Sequence, residues 1–421
     1  MPTPAITDGT TQFFNVLYDG NGTGQRIGKF LPYTDVGTIT KGCIFNAADD
    51  PSLTRNLGSN GTRSKFTIST WIKRNKLYGS GFMAVITGGL TSTNDGIFFN
   101  SSEQLYTYFF GTETLVTTRT FEDTSRFYHI VLRVDSSQST ADDRLRLYID
   151  GEQITAFGTR NNPSQDATTS LFLNNSQNIR IGRHGSSTLY EGDYILAETI
   201  LADGQSYGPD TFGVTDTSTG KWIPKDVSSG ITYGTHGFRM NYANSAGQTI
   251  GDDSSGNGND MTVANLATTD IVTDTPTQNH CVLSSGLSRG SVNLTEGGTK
   301  LQSSSTNYAC CATTMSFSEE DSQGYYFEVK VTGSTRTTTG VLIMRDSVNV
   351  DALSSDQQHA GCFGILARGG GGSNQYWFTA DGSYDGTTGV SHGANDVIQV
   401  AFKEGKVWFG INNTYLLSGN P

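Results

Sequence analysis

The chain has 421 residues, more than a single hydrophobic core usually serves, so two to three domains are expected. Its formal net charge of -12 disfavours sequence-independent binding to nucleic acid, because that binding depends on Lys and Arg side chains that neutralise phosphates. A hydrophobic content of 35% with no apolar run of about 20 residues disfavours a membrane span. The 51 glycines and the charged content of 16% are typical of an all-β protein with many loops.

The first 40 residues predict an arm that docks on another protein. They are polar and interrupted by glycine, as in Gly20-Asn-Gly-Thr-Gly24. The start of the chain has neither the basic nor the apolar segment of a secretory signal, so a protein acting outside the cell would leave by lysis or within a particle. The five cysteines form no C-x-x-C motif, and reduced thiols are expected.

Residues 41–205 contain short strands at regular spacing, which predicts a β-sandwich. The strand at 66–74 alternates apolar side chains, expected in the core, with polar side chains expected to meet water: Phe66, Ile68 and Ile72, then Thr67, Ser69 and Lys73. Further strands are predicted at 127–134 and 145–149, and the second ends at Asp150-Gly151, a hairpin signal.

Residues 206–300 have weaker strand signals and predict a connector rich in ordered turns. Asp253, Ser255 and Asn257, followed by Gly258, have the oxygen spacing of a calcium loop. Such a loop requires an acid at its twelfth position, where this chain has Ala264, so a turn is favoured over a calcium site.

Residues 301–421 predict a second β-sandwich. Its strands include 324–331, 362–366 and 376–378, and the strands at 397–402 and 406–411 form a predicted hairpin.

Aromatic side chains in both sandwiches are candidates for stacking on sugar rings, although alternation along a strand places about half of such residues in the core. The candidate ligand-binding residues are Tyr106, Tyr108, Tyr376, Trp377 and Tyr384.

Acidic residues at 191–198 resemble the E-x-D-x-x-E strand of glucanases but have a different spacing. Glu198 follows Glu191 by seven residues, so in a regular strand the two point to opposite faces, with Asp193 between them. A retaining glycosidase needs two carboxyl groups about 5 to 5.5 Å apart. We therefore expect no catalytic residues and no enzyme activity.

Two other patterns predict no chemistry. Gly286-Leu-Ser288-Arg-Gly290 matches G-x-S-x-G, but it lies in a Ser/Gly-rich stretch without the strand-to-helix context of a nucleophile elbow. The six histidines have no zinc-binding spacing, and His129, inside a predicted strand, is expected to be a packed ring.

The strands at 66–74, 127–134 and 145–151 resemble the concanavalin A-like lectin/glucanase module of the laminin G type, as found in phage virion proteins. Five blocks after it resemble the series that follows this module in phage tail and virion proteins: LADGQSYGPDTFG at 201–213, TGKWIPK at 219–225, YGTHGF at 233–238, DDSSGNGNDMTVANL at 252–266 and DTPTQN at 274–279. The leader segment GQRIGKFLPYTD at 24–35 is similar to the one that precedes it.

The last 121 positions contain YYFEVKV, GCFGILA, DGSYDGTTG and DVIQVAFKEGKVWFGINNTYLLSGNP in this order, and they resemble a SPRY domain that is incomplete at its C-terminus. The resemblances imply a non-enzymatic bacteriophage virion protein, a tail fibre or surface appendage that binds host glycans or receptors. They imply assembly in the host cytoplasm, display on the particle, attachment to other virion proteins through residues 1–40 and a homo-oligomer, with a trimer favoured. Laminin G-like modules often hold calcium, so calcium is a candidate ligand. The alternatives are a capsid decoration or tail-structural protein that binds other virion proteins, and a polysaccharide depolymerase.

Overall fold

The computed structural model describes residues 39–77, 79–90, 95–185, 190–217, 219–243, 249–290, 292–303, 309–316, 324–332, 338–344, 362–368, 374–378, 384–387 and 392–416. These residues divide into two compact units. The first holds the described residues up to Gly286 together with Val292–Ser303, and the second holds residues 287–290 and those from 309 onward. The predicted arm at 1–40 lies almost entirely outside the described residues.

The strands of the chain up to residue 303 are β1 Gly42–Phe45, β2 Ser52–Asn56, β3 Lys65–Arg74, β4 Phe82–Gly88, β5 Asp95–Asn100, β6 Gln104–Phe109, β7 Thr112–Thr120, β8 Tyr128–Asp135, β9 Leu145–Ile149, β10 Glu152–Gln153, β11 Phe157–Arg160, β12 Asn178–Ile181, β13 Tyr194–Asp203, β14 Gly213–Thr215, β15 Trp222–Pro224, β16 Phe238–Met240, β17 Thr262–Ala264, β18 Ile271–Val272, β19 Leu283–Arg289, β20 Val292–Thr295 and β21 Lys300–Ser303. Short 3-10 helices occupy Ala47–Asp49, Ala141–Asp143, Pro209–Thr211 and Thr268–Asp270.

Two antiparallel sheets form the sandwich of the first unit. Sheet A has the order β10-β9-β8-β3-β13-β1-β18, with β16 beside β13, and sheet B has the order β11-β7-β6-β5-β4-β12-β2-β17. The predicted core residues Phe66, Ile68 and Ile72 pack in one buried cluster with residues of sheet B such as Met83 and Phe99. The all-β, antiparallel sandwich predicted from the periodicity is confirmed.

The predicted hairpin at Asp150-Gly151 joins β9 to β10. Ile149 pairs with Glu152, and the two central residues have φ angles of 52° and 85°. Positive φ at both positions defines a type I′ turn, which matches the right-handed twist of the flanking strands and favours Asp-Gly.

The polar face of β3 does not meet water, and that expectation was wrong. Thr67, Ser69 and Lys73 are buried because residues of the predicted connector cover this outer side of sheet A. Two apolar clusters line the contact. One joins Trp71 to Trp222, and the other joins residues of β8 and β13 to Phe212, Val227 and neighbours. Parts of segment 206–280 therefore form a third layer on the outer side of sheet A, whereas β16 and β18 extend sheet A and β17 extends sheet B. The predicted divisions at 40, 205 and 300 stay predictions.

The second unit contains β22 Cys310–Thr313, β23 Tyr325–Lys330, β24 Thr338–Met344, β25 Cys362–Arg368, β26 Asn374–Phe378, β27 Tyr384–Thr387, β28 Val397–Lys403, β29 Lys406–Ile411 and β30 Thr414–Tyr415. Sheet C has the order β23-β28-β29-β30 and sheet D the order β24-β25-β26-β27, both antiparallel. The predicted hairpin between β28 and β29 is confirmed, with Glu404 and Gly405 at positive φ. Within the described part of the chain, no helix is long and apolar enough to span a bilayer.

Candidate functional site

The outward face of sheet B carries an aromatic cluster. Along β6 the side chains alternate, with Leu105 and Phe109 in the core and Tyr106 and Tyr108 half-buried on the opposite side. This alternation places both candidate tyrosines of the first sandwich on the surface, where they are available to a ligand.

Further rings from other strands and loops surround Tyr106. The ring of Phe82 lies 4.9 Å from that of Tyr106 between centroids, and the ring of Phe98 lies 6.0 Å away. Tyr190 packs edge-on against Phe82 at 5.6 Å and against His184 at 4.8 Å. The six residues that form this sheet-B face are Phe82, Phe98, Tyr106, Tyr108, His184 and Tyr190.

Polar groups accompany these rings. Tyr108 donates a hydrogen bond from its hydroxyl to the Gly111 carbonyl oxygen over 2.8 Å. Partial burial, with the carboxylate of Glu113 nearby, raises the pKa of Tyr106 to about 12, so its hydroxyl stays protonated. Arg180, on the neighbouring strand β12, donates from its guanidinium to the Gly89 carbonyl, and burial lowers its pKa. Rings with a few fixed polar groups are the usual lining of a small-molecule site.

Phe82, Phe98, His184 and Tyr190 were not predicted from the sequence. The sequence indicates core positions for Phe82 and Phe98, because each lies in an apolar strand. His184 and Tyr190 lie in the loop between β12 and β13, where strand alternation predicts no face. The signal that identifies Phe98 is its register, since it pairs with Tyr106 and shares its face, and register is not visible in one sequence.

Two acidic residues, Asp50 and Glu191, share one arginine, and Glu191 directly follows Tyr190 of the sheet-B face. Arg183 Nη1 is 3.1 Å from Asp50 Oδ1, and Arg183 Nε is 3.9 Å from Glu191 Oε1. Burial, with the neighbouring Asp50 carboxyl as a second cause, raises the pKa of Glu191 to about 8. Asp193 accepts a hydrogen bond from the Ala47 amide over 3.0 Å, and burial raises its pKa.

Strand β13 is not regular, contrary to the sequence-based assumption. Its register with β3 shifts by one residue between Ala197 and Ile200, and Glu198 has a φ of 52°, which marks a β-bulge. Arg239 donates from Nε to Glu198 Oε1 over 2.6 Å, and burial raises the pKa of Glu198. Glu191 and Glu198 thus contact different arginines.

The predicted calcium loop is closed by its own hydrogen bonds. The carboxylate of Asp253 accepts from the amides of Arg239, Ser255 and Asn259 over 2.8 to 2.9 Å and from the Ser255 hydroxyl over 2.7 Å. Asn257 turns its amide NH₂ toward the carbonyl oxygens of Gly234 and Gly237.

Four donors fill the lone-pair sites of the Asp253 carboxylate, whereas Ca²⁺ needs six to eight oxygen ligands. The geometry at Asp253, Ser255 and Asn257 therefore fits the turn that the sequence favoured, and the Asp253 carboxylate is engaged by donors of the first unit itself. Among the described residues, no group of three or more His, Cys, Asp or Glu side chains is arranged to hold a metal.

His129 is a packed ring, as predicted. It stacks on Trp71 with 4.4 Å between centroids and accepts a hydrogen bond at Nδ1 from Trp222 Nε1 over 2.9 Å. Its Nε2 lies 2.8 Å from the Ser69 hydroxyl, and burial lowers its pKa to about 3, so the ring is neutral.

The remaining candidates lie elsewhere. Ser288 lies within strand β19, so the described residues there do not form a nucleophile elbow. Tyr376 and Trp377 lie on β26 and Tyr384 on β27, and the backbones of Phe378 and Tyr384 pair. Their role as ligand contacts stays a prediction.

Comparison with known proteins finds one family model that matches part of the first unit. Residues 47–192 match the family model of the laminin G type described as the concanavalin A-like lectin/glucanases superfamily. The first sandwich has the concanavalin A-like fold. No curated protein matches the chain in sequence.

Solved structures show weaker likeness. A proposed carbohydrate binding protein from Bacteroides ovatus ATCC 8483 is 15% identical with a TM-score of 0.40, over 56% of this chain and 60% of its own. Domains LG4-5 of the mouse laminin alpha1 chain are 9% identical with a TM-score of 0.30, over 92% and 80%. The heptameric SAP-like pentraxin from Limulus polyphemus is 12% identical with a TM-score of 0.29, over 41% and 79%. At these values none of the three supports a statement about function.

Proposed function

We propose that this protein binds glycans through the sheet-B face and performs no chemical step. The observation that supports this most directly is the outward aromatic cluster around Tyr106 and Tyr108 on a lectin-type sandwich. The half-buried rings of Tyr106 and Tyr108 can stack on the apolar faces of sugars.

We further propose that the protein is displayed on a bacteriophage particle as a tail fibre or surface appendage, where it contacts the host surface. The ordered connector blocks at 201–279, which resemble those of phage virion proteins, support this role. The proposal includes a SPRY-like second unit, for which the two four-stranded antiparallel sheets C and D are the supporting feature. We also propose that residues 1–40 attach the protein to the particle and that it assembles as a trimer. Several copies that each bind a ligand weakly bind strongly when they act together.

A polysaccharide depolymerase is the second candidate, because Glu191 has a raised pKa beside Asp50 and a raised pKa is typical of a general acid. Its burial opposes this role, since only 5% of Glu191 is exposed and a catalytic carboxyl must touch the glycosidic oxygen. Release of reducing sugar from host envelope by the protein, and its loss in Glu191→Gln, would establish the enzyme instead.

The glycan proposal is tested with the full chain and isolated host envelope polysaccharide. Tyr106→Ala/Tyr108→Ala is expected to weaken binding by about 25-fold, at about fivefold for each ring lost. Tyr106→Phe keeps the ring and should lose less than Tyr106→Ala. Val214→Ala, an exposed apolar position elsewhere on the unit, is the control and should leave binding unchanged.

Equal binding by the double variant and the unmodified chain would refute a role for the sheet-B face. Absence of polysaccharide binding, combined with incorporation into particles at a position covered by neighbouring proteins, would favour a decoration or tail-structural role. A particle reconstruction that locates the protein provides that second measurement.

A further inference from the structure

Sheet C presents a second surface of aromatic and polar side chains on its outward side. Cross-strand partners share a face of a sheet, and the register pairs Tyr326 with Ala401 and Ala401 with Trp408 in one row. The next row runs from Glu328 through Gln399 and Gly410 to Tyr415. Together with Asn413 in the turn before β30, these rows define the sheet-C platform: Tyr326, Glu328, Gln399, Trp408, Asn413 and Tyr415.

The opposite side of sheet C forms the core of the second unit. Ile398, Val400, Phe409 and Ile411 alternate with the platform residues along β28 and β29 and are buried together. The platform therefore faces outward. Tyr326 is 53% exposed and Tyr415 is 43% exposed, so both rings are accessible to a ligand.

A hydrogen-bond network holds the polar part of the platform in place. Gln399, only 6% exposed, lies at its centre. Its Nε2 lies 2.8 Å from the Tyr326 hydroxyl, 2.8 Å from Asn413 Oδ1 and 3.2 Å from Glu328 Oε1. Gln399 Oε1 accepts a hydrogen bond from the backbone N–H of Asn413 over 2.7 Å, and the Tyr326 hydroxyl donates to Glu328 Oε1 over 2.5 Å. This network orients Tyr326 and Glu328 before any ligand arrives.

The shape and composition of the platform suit a sugar chain better than a protein. Ala401 and Gly410 lie between the rings and keep the surface low, and Tyr326 and Trp408 are two strand spacings apart, about 10 Å. Lys330 and Lys403 lie at its two ends on the same face. Protein interface cores are depleted in Lys and Glu, whereas flat rings with fixed hydrogen-bonding groups match the faces and hydroxyls of several linked sugar rings.

We propose that the sheet-C platform is a second glycan-binding site, which takes a neutral oligosaccharide that stacks on Tyr326, Trp408 and Tyr415 and hydrogen-bonds to Glu328 and Asn413. The charge of Glu328 disfavours a carboxylate or sulfate group placed against it, while Lys330 and Lys403 lie at the two ends of the platform. This inference extends the proposed glycan-binding function from the first unit to the second, so one chain would hold two sites. Gln399 is a positioning residue because it acts through Tyr326, Glu328 and Asn413.

The test is affinity electrophoresis of the full chain in gels that contain laminarin, dextran or mannan as neutral probes and alginate as an acidic one. Tyr326→Ala/Tyr415→Ala is introduced into the unmodified chain and into Tyr106→Ala/Tyr108→Ala, where the sheet-B face is disabled. We expect a neutral probe to retard Tyr106→Ala/Tyr108→Ala in the gel. Adding Tyr326→Ala/Tyr415→Ala to that variant should weaken its binding to the probe at least about 20-fold. Glu328→Gln should increase retention by alginate, and Leu287→Ala, at an exposed position of the second unit, should change nothing.

Each outcome separates the two proposals. Unchanged retention in Tyr326→Ala/Tyr415→Ala, with loss in Tyr106→Ala/Tyr108→Ala, overturns the platform and leaves the proposed function standing. If no probe retards the unmodified chain, both glycan-binding proposals are overturned. If the platform variant binds the probes normally but fails to assemble with another virion protein, the face is a protein interface and the glycan assignment is wrong. Circular dichroism melting within about 2 °C of the unmodified chain checks that the variants fold.

Discussion

Lys73 provides the strongest test of how the connector is attached to the first sandwich. Its side chain is 0% exposed, and its ammonium donates over 2.9 Å to each of three acceptors, Asp274 Oδ2, Asn279 Oδ1 and the His280 carbonyl. Asp274 and Asn279 belong to the DTPTQN block, so this one group on β3 binds the block to the outer face of sheet A.

The expected cost of Lys73→Met follows from what it leaves behind. The Asp274 carboxylate, 4% exposed, keeps one hydrogen bond from the His280 amide over 2.9 Å but loses its counter-ion. Removing one partner of a buried ion pair costs about 3 to 5 kcal/mol. If Asp274 instead takes up a proton, that protonation costs about 4 kcal/mol at pH 7, which is of similar magnitude. We expect the free energy of unfolding to fall by about 4 kcal/mol at neutral pH.

The measurement is urea unfolding followed by tryptophan fluorescence, with the transition of the first unit resolved from that of the second. The matched control is Lys65→Met on the same strand, because Lys65 contacts Asp135 over 3.3 Å with its side chain 40% exposed, and exposed pairs contribute about 1 kcal/mol or less. Lys73→Met/Asp274→Leu removes both charges and should recover at least half of the loss. Equal destabilisation by Lys73→Met and Lys65→Met would refute the anchoring role.

Two further predictions concern Trp222 and Glu191. Trp222→Phe removes the donor to the buried Nδ1 of His129 and should lower the free energy of unfolding by about 1 to 3 kcal/mol, as measured by urea unfolding. Glu191 has a folded-state pKa raised to about 8 from 4.5, so the folded state holds its proton more tightly. Its contribution to stability is therefore full below pH 4.5 and is lost as the pH rises toward about 8, at up to about 1.4 kcal/mol per pH unit. Glu191→Gln stays uncharged, so its stability relative to the unmodified chain should increase over this range in thermal melts at a series of pH values.

Either of these two expectations can fail clearly. A Trp222→Phe variant as stable as the unmodified chain would mean that the hydrogen bond to His129 does not help to hold the connector. A stability difference between Glu191→Gln and the unmodified chain that stays constant from pH 4.5 to 8 would mean that Glu191 ionises normally in the folded state.

Local sequence determined the strands, the turns and the inner faces of this protein. The alternation at 66–74 predicted which side chains of β3 enter the core, because the side-chain period of a strand is two and each step reverses the face. Asp150-Gly151 predicted its hairpin, since both residues adopt positive φ at low cost. These features depend on neighbours in the chain, and for that reason one sequence is sufficient to predict them.

Only the tertiary structure decided what covers each face and which residues meet. Thr67, Ser69 and Lys73 looked solvent-exposed because periodicity shows that two faces differ but not that a distant segment packs on the polar one. The bulge at Glu198 and the four donors to Asp253 have the same origin, since each depends on partners brought from elsewhere in the fold. Phe82 and Phe98 share a face with Tyr106 for this reason as well, because the register of β4, β5 and β6 is set by long-range packing. Tyr190 reaches the same cluster from the loop before β13.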